Sequence, residues 1–235
     1  MARSPGNVYY SLMITAIKFG EIRRPANGDT PSQVPLMGYL IQVDDTNVLV
    51  NTGIGAGNSE IDSTHAPQCP PLAETLERET SLKIEDIDIV VNTHLQFDHC
   101  GNNSLFHRPP VYVQAAAYDA AMAGGYTVME WFNPMVVHYQ QLNGDYQLTD
   151  HIRVIATPGI SPGHQSLLVE SDRRASLIVG CAIHDAVEFA QHLAHPIPRR
   201  DAVDEAAYLT SAKRLLEFDV VEAHFSYSET PWRHD

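Results

Sequence analysis

The chain has 235 residues, 44% hydrophobic and 19% charged, a composition that suits one ordinary globular domain spanning 1–235. Its 29 acidic against 15 basic residues leave a net charge of −14, which argues against nucleic acid as a partner because phosphate backbones need a basic face. No run approaches the roughly 20 apolar residues that cross a bilayer, and Met1 to Asn7 opens no signal-peptide pattern, so a chain without a membrane partner, retained in the cytoplasm, is expected.

Tyr39 to Val43 and Val48 to Asn51 are β-rich runs flanking Asp44-Asp45-Thr46-Asn47, which predicts a hairpin, and Gly53, Gly55 and Gly57 then form a loop. Leu72 to Thr80, preceded by Pro70-Pro71, reads as a helix. Ile87 to Asn92 is a continuous apolar strand that runs straight into Thr93-His94. Further strands are expected at Pro110 to Gln114, Ile152 to Ala156, Ser166 to Glu170 and Leu177 to Gly180. The stretch from Gly124 through Tyr126 to Tyr146 fits no single element; its Tyr126, Trp131, Phe132, Tyr139 and Tyr146 are either cover over a site or a satellite apolar cluster. Val203 to Phe218 carries a helical apolar stripe, and a last strand, Val220 to Ala223, ends at His224. Strands that each deliver a polar residue at their C-terminal end point to a layered α/β domain with one functional rim.

The densest signal is His94-Leu-Gln-Phe-Asp-His99. Two imidazoles and a carboxylate within six residues, just after a buried strand, offer a divalent cation several ligands with little loop entropy to overcome. Cys69, Cys100 and Cys181 are too few and scattered for a disulfide framework, so reduced thiols are expected. Gly159-Ile-Ser161-Pro-Gly163 matches a serine-elbow pattern, but Pro162 has no N–H to offer an oxyanion. Gly53, Gly55 and Gly57 follow a strand without a convincing helix behind them, a weak dinucleotide signal. Histidines 65, 107, 138, 151, 192, 195 and 234 have no ligand-like company and are assigned to packing or surface.

With these motifs in view, the chain resembles the metallo-β-lactamase superfamily, in particular its N-acyl homoserine lactonase-like branch, over nearly its whole length. The HxHxDH motif falls on His94, Gln96, Asp98 and His99. "TPGISPGHQSLLV" around His164 is similar to the TPGHTPGHQS segment of the lactonases, "VLVNTGIG" to LVDTG, and "VVEAHF" around His224 to the strand end carrying the last ligand. Spacings of 70 residues from His94 to His164, 17 to Cys181 and 43 to His224 also suit the family. The resemblance implies an αββα sandwich with metal at one sheet edge and hydrolysis by a metal-bound hydroxide.

Two positions depart from the pattern. Gln96 stands for a histidine and offers a neutral, weaker oxygen, while Cys181 stands for the bridging Asp and favours one soft-tolerant ion. The ligand set implied is His94, Gln96, Asp98, His99, His164, Cys181 and His224, holding one or two zinc ions, with the Asp98, His99, Cys181 and His224 site favoured. Cys181 also reads as an inert buried thiol. Asp98 is expected to orient the nucleophile, and His94 or His164 to serve as base where no ion occupies them. His184, at the offset where such lactonases carry a substrate-contacting tyrosine, is a candidate catalytic group or a plain loop histidine. Asn51 replaces an Asp that supports the ligand loops; an amide can do the same. The expected activity is opening of a lactone or related cyclic ester or amide in a small-molecule substrate. The alternatives are a metal-dependent lyase or oxygenase on the same fold, or a non-catalytic small-molecule-binding homologue. The irregular segment and His192 to Arg200 are candidates for a homodimer contact.

Overall fold

The computed structural model describes residues 12–24, 32–125, 127–171 and 174–234. Strands β1 (Met13–Arg24), β2 (Ser32–Val43) and β3 (Thr46–Val50) lead to helices α1 (Ser59–His65) and α2 (Leu72–Thr80). Next come β4 (Ile89–Val91), the short α3 (Phe97–Cys100), β5 (Val111–Gln114), α4 (Ala115–Ala123), α5 (Met129–Phe132) and β6 (Tyr139–Leu142). The rest holds β7 (Tyr146–Thr149), β8 (Ile152–Ala156), β9 (Gln165–Glu170), β10 (Ala175–Gly180), α6 (Ala186–Ala194), α7 (Glu205–Leu215), β11 (Glu222–Phe225) and β12 (Ser228–Arg233).

Among the described residues these strands form two six-stranded sheets, ordered β1-β2-β3-β4-β5-β6 and β12-β11-β10-β9-β8-β7. Side-chain alternation explains why they stack. Tyr39, Ile41, Val48, Val50 and Val91 of the first sheet meet Ile152, Leu167, Val169 and Ile178 of the second in a core between the sheets. Their neighbours Leu40, Leu49 and Val90 face the other way, packing with Leu72, Leu76, Ala117 and Phe132 from the helices. Leu168, Leu177, Val179 and Phe225 do likewise with Phe189, Ala212 and Leu215. Burying each such large apolar side chain contributes roughly 1.5–3 kcal/mol. The result is the expected αββα sandwich.

The hairpin closes through Asp44-Asp45, with Val43 opposite Thr46 and Asp44 at φ 51, a conformation aspartate tolerates. Several elements differ from expectation. Strand β1 was not read from the sequence, because a register shift between Lys18 and Gly20 breaks its alternation. Helix α7 starts at Glu205, where Asp204 Oδ1 accepts from the Ala207 N–H at 3.0 Å, and Val203 is exposed. Helix α6 begins where a loop was expected, because Asp185 Oδ1 accepts from the N–H groups of both Val187 and Glu188. The segment 127–146 is not irregular throughout, since it holds the short helix α5 and strand β6. Trp131 and Phe132 are buried in the helix-side core, and Phe132 stacks on Tyr139 with ring centroids 4.7 Å apart, as a packing cluster; Tyr126 lies outside the described residues. Strand β11 runs through His224 to Phe225 rather than stopping before it.

Candidate metal centre

The parallel ends of β3 and β4 set up the ligand loop. Asn51, at φ 64, accepts through Oδ1 from the Thr93 N–H at 2.9 Å and from the Thr93 hydroxyl at 3.2 Å, so the amide supports the loop. Asn92 Nδ2 and the Thr52 N–H both donate to the His99 carbonyl, at 3.0 and 2.8 Å. Gly55 and Gly101 approach so closely that a Cβ at residue 101 would strike the Gly55 backbone, so Gly55 serves packing rather than a dinucleotide. Across the rim, the Gln165 N–H donates to the Thr93 carbonyl at 2.8 Å, tying the start of β9 to this loop.

These anchors place His94, His99 and His164 side by side, with ring centroids 4.1 Å apart for His94 and His99 and 5.4 Å for His94 and His164. His164 Nε2 accepts from the Cys181 N–H at 3.1 Å, so its proton sits on Nδ1. That Nδ1 donates to the Thr157 hydroxyl at 2.8 Å, Thr157 donates to Ser166 at 3.0 Å, and Ser166 donates to the Val179 carbonyl at 2.8 Å. The relay fixes one tautomer and one ring orientation. Gly180, at φ 69, permits it, because a Cβ there would come within 2.8 Å of His164 Nε2. Gln96 Oε1 lies 2.9 Å from His94 Nε2, so the amide oxygen is spent on that imidazole.

Cys181 is buried and its Sγ lies 3.2 Å from His99 Nε2, facing the histidines. His99 Nδ1 in turn lies 2.9 Å from Asp98 Oδ1, and the Tyr227 hydroxyl donates to Asp98 Oδ2 at 2.6 Å. Electrostatics divide the cluster. Burial, reinforced by His99, lowers His94 to about 3, and burial beside His94 lowers His164 well below the ordinary imidazole value. Burial also disfavours a charged His99, but the Cys181 sulfur and the Asp98 carboxylate outweigh it and lift His99 to about 10. Asp98, which burial alone would raise, is held well below the carboxylate range by His99 and by the Tyr227 bond. Both His94 and His164 are thus neutral, the form a metal requires; an ion at His164 Nε2 would replace the Cys181 N–H bond, and one at His94 Nε2 would replace the bond to Gln96 Oε1.

The metallo-β-lactamase superfamily model matches residues 37–224. The chain belongs to the metallo-β-lactamase superfamily. An N-acyl homoserine lactonase of Bacillus cereus is 31% identical over 195 residues, 78% of this chain and 76% of that protein. The crystal structure of a B. thuringiensis AiiA mutant with N-decanoyl-L-homoserine at its active site has a TM-score of 0.75 and 25% identity, covering 87% of both chains. AidC, a dizinc quorum-quenching lactonase, shares the fold alone, at TM-score 0.67 and 13% identity over 93% of this chain and 90% of that one.

Within this superfamily frame the structure distributes the expected residues unevenly. Ligand atoms of His94, His164 and Cys181, all buried, lie within 4.8 Å of one another, as do those of His94, Asp98 and His99. Two imidazoles and a thiol are a donor set that suits a borderline-soft cation, so the residues fit a metal ion. His224 is not brought to the group. It pairs with Ile178 across the parallel β10 and β11, whereas Phe225 pairs with Gly180, which puts Ser226 rather than His224 level with Cys181. The His224 ring lies 5.1 Å from that of Tyr39 between the sheets. Its Nε2 stands 3.3 Å from Glu222 Oε1 but outside hydrogen-bonding geometry. Among the described residues the expected four-ligand set of Asp98, His99, Cys181 and His224 is therefore not assembled, the strand running on past its histidine to Phe225.

His184 lines the rim, stacked on Tyr227 with centroids 5.9 Å apart; its N–H donates to Glu188 Oε2 at 2.9 Å. Tyr227 and Arg199, whose Nη1 donates to the Cys181 carbonyl at 3.2 Å, escaped the sequence reading. The signal for Tyr227 was the continued alternation of Ala223 and Phe225 past His224, which carries the strand end to Ser226-Tyr227. His192, assigned to packing, is buried against the Tyr208 hydroxyl at 2.9 Å.

Proposed function

We propose that this chain is a zinc-dependent hydrolase that opens a lactone or related cyclic ester or amide, using one ion held by His94, His164 and Cys181 with His99 against the sulfur. The observation that carries the reading is the convergence of those three buried donors at the sandwich edge. Zinc in such a place acts as a Lewis acid, acidifying water and polarising a carbonyl oxygen. The protein's part is orientation. Thr157 and Ser166 hold His164 in one tautomer, Asp98 holds His99, and the Arg199 bond to the Cys181 carbonyl pins the loop that bears the thiol. His184, on the rim with its side chain 31% exposed, would hand a proton to the departing ring oxygen. A cavity of about 230 Å³ adjoins the ligand loop at Phe97 and offers substrate a mixed wall, apolar at Ile61, Phe97 and Val128 and polar at Asn58, Glu60 and Thr127. AiiA and the Bacillus cereus relative, by their names and bound product, act on N-acyl homoserine lactones, which makes those lactones the first substrates to test.

The test is metal analysis of protein purified without added metal, alongside hydrolysis of acyl homoserine lactones and other small lactones. About one zinc per chain is expected, with ring opening abolished by a chelator and restored by zinc. Metal-free protein that neither takes up zinc nor opens any lactone overturns the reading.

A further inference from the structure

Asp98 is close enough to the cluster to bind an ion, since one of its oxygens lies within 4.8 Å of the donor atoms of both His94 and His99. Distance does not keep it out. Its bonds do: Oδ1 faces His99 Nδ1 at 2.9 Å and Oδ2 accepts from the Tyr227 hydroxyl at 2.6 Å. Hydrogen bonds to an ionised acceptor are roughly twice as strong as neutral ones. Turning the carboxylate toward an ion would also leave a buried phenol unpaired, which is unfavourable.

Tyr227 is itself held on several sides. Its ring is edge-on to His99 at 5.6 Å and stacked with His184 at 5.9 Å, and the Arg24 guanidinium stands 4.8 Å from its centroid. Arg24 pairs at 4.0 Å with Asp201, which also takes the forked bond of Arg199, at 2.8 and 3.3 Å. Arg199 returns to the centre through the Cys181 carbonyl. A closed circuit of side chains therefore surrounds the cluster, with Tyr227 at the turn between β11 and β12, beside the rim position level with Cys181.

We propose that Tyr227 is a positioning residue that keeps Asp98 off the metal, holds His99 against Cys181 and so limits the centre to a single ion; this rests on the metal-hydrolase reading above. The experiment is titration of the metal-free full-length chain with cobalt(II), followed by metal analysis and by the cobalt d–d and sulfur-to-cobalt charge-transfer absorption. The natural chain is expected to saturate at one cobalt with a sulfur band. Tyr227→Phe, which keeps the ring contacts, is expected to bind its first cobalt about tenfold more weakly and to admit a second at excess cobalt. Tyr227→Phe combined with Asp98→Asn is expected to return to one. A Tyr227→Phe protein that saturates at one cobalt with unchanged affinity and an unchanged band overturns the proposal. So does a natural chain that binds two. Should Tyr227→Phe not fold, Asp98→Asn alone decides: retention of one cobalt with its sulfur band supports the proposal, and loss of the ion overturns it. A natural chain that binds no cobalt at all fails the hydrolase reading first, and is thereby told apart from failure of the Tyr227 role.

Discussion

The two sheets contribute to the centre in different ways. The first supplies His94, Gln96, Asp98 and His99 from one short loop, pinned by Asn51, Asn92 and Thr52 through backbone bonds. The second supplies single residues from separate strand ends: His164 at the start of β9, Cys181 after β10, and Tyr227 from the β11–β12 turn. A contiguous loop carries its donors together wherever it goes, whereas separate strand ends must each be in register. Departures from the superfamily pattern fall on both sheets, Asn51 and Gln96 on the first and Cys181 on the second. On the second a thiol replaces a carboxylate, and strand register turns His224 between the sheets while Tyr227, three residues on, meets Asp98.

The strongest way to break this comparison is at Cys181. Among the described residues it is the sulfur donor that the second sheet brings to the cluster, and its N–H faces His164 Nε2. Cys181→Ala removes the sulfur and leaves the backbone at that position in place. Metal affinity is expected to fall by at least ~100-fold, more than outer supporting residues cost, with hydrolysis falling alongside it. Competition against a chromophoric zinc chelator measures this directly, and near-natural affinity would mean that the first sheet holds the ion unaided.

The same division governs what could be read from the sequence. The ligand loop was legible because its donors fall within six residues after a buried strand, a local pattern that needs no tertiary information. Helix α2 was legible from Leu72 to Thr80, because Leu72 and Leu76 share a face and prolines precede it. Strand β1 was hidden by its bulge, and α6 by a cap residue that reads as a loop. Cys181 was found through the resemblance and does face the histidines. His224 was carried over by the same resemblance, but strand register decides which side chain reaches the rim, and a hairpin turn two residues further on is invisible to spacing.

A middle-sized effect separates neutral from charged imidazoles in the metal-free protein. Between an unfolded value of 6.5 and a folded value of about 3, the unfolded chain binds a proton at His94 that the folded chain excludes. Stability therefore falls as pH falls through that window, by up to about 1.4 kcal/mol per pH unit. His164 has the same sign. His99 has the opposite sign: its folded value of about 10 makes its stabilisation complete below 6.5 and lost as pH rises through 10. Thermal melts of chelator-treated protein should thus weaken on both sides of neutrality, with His94→Gln reducing the acidic loss and leaving the alkaline limb. An acidic limb that His94→Gln does not alter would show that the ring is not desolvated as described.

The smallest expected effect is the sharpest test of register. His224 sits between the sheets beside Tyr39, and burial lowers its pKa. It is neutral and imperfectly bonded to Glu222, so replacing it by a residue of similar bulk removes little that the fold depends on. His224→Leu is expected to keep one zinc per chain and to change stability by no more than about 1 kcal/mol. An emptied centre in that variant would place His224 among the ligands and return Tyr227 to an ordinary packing residue. Full zinc occupancy in His224→Leu, beside a large loss in Cys181→Ala, would show that of Cys181 and His224 it is the sulfur that reaches the ion.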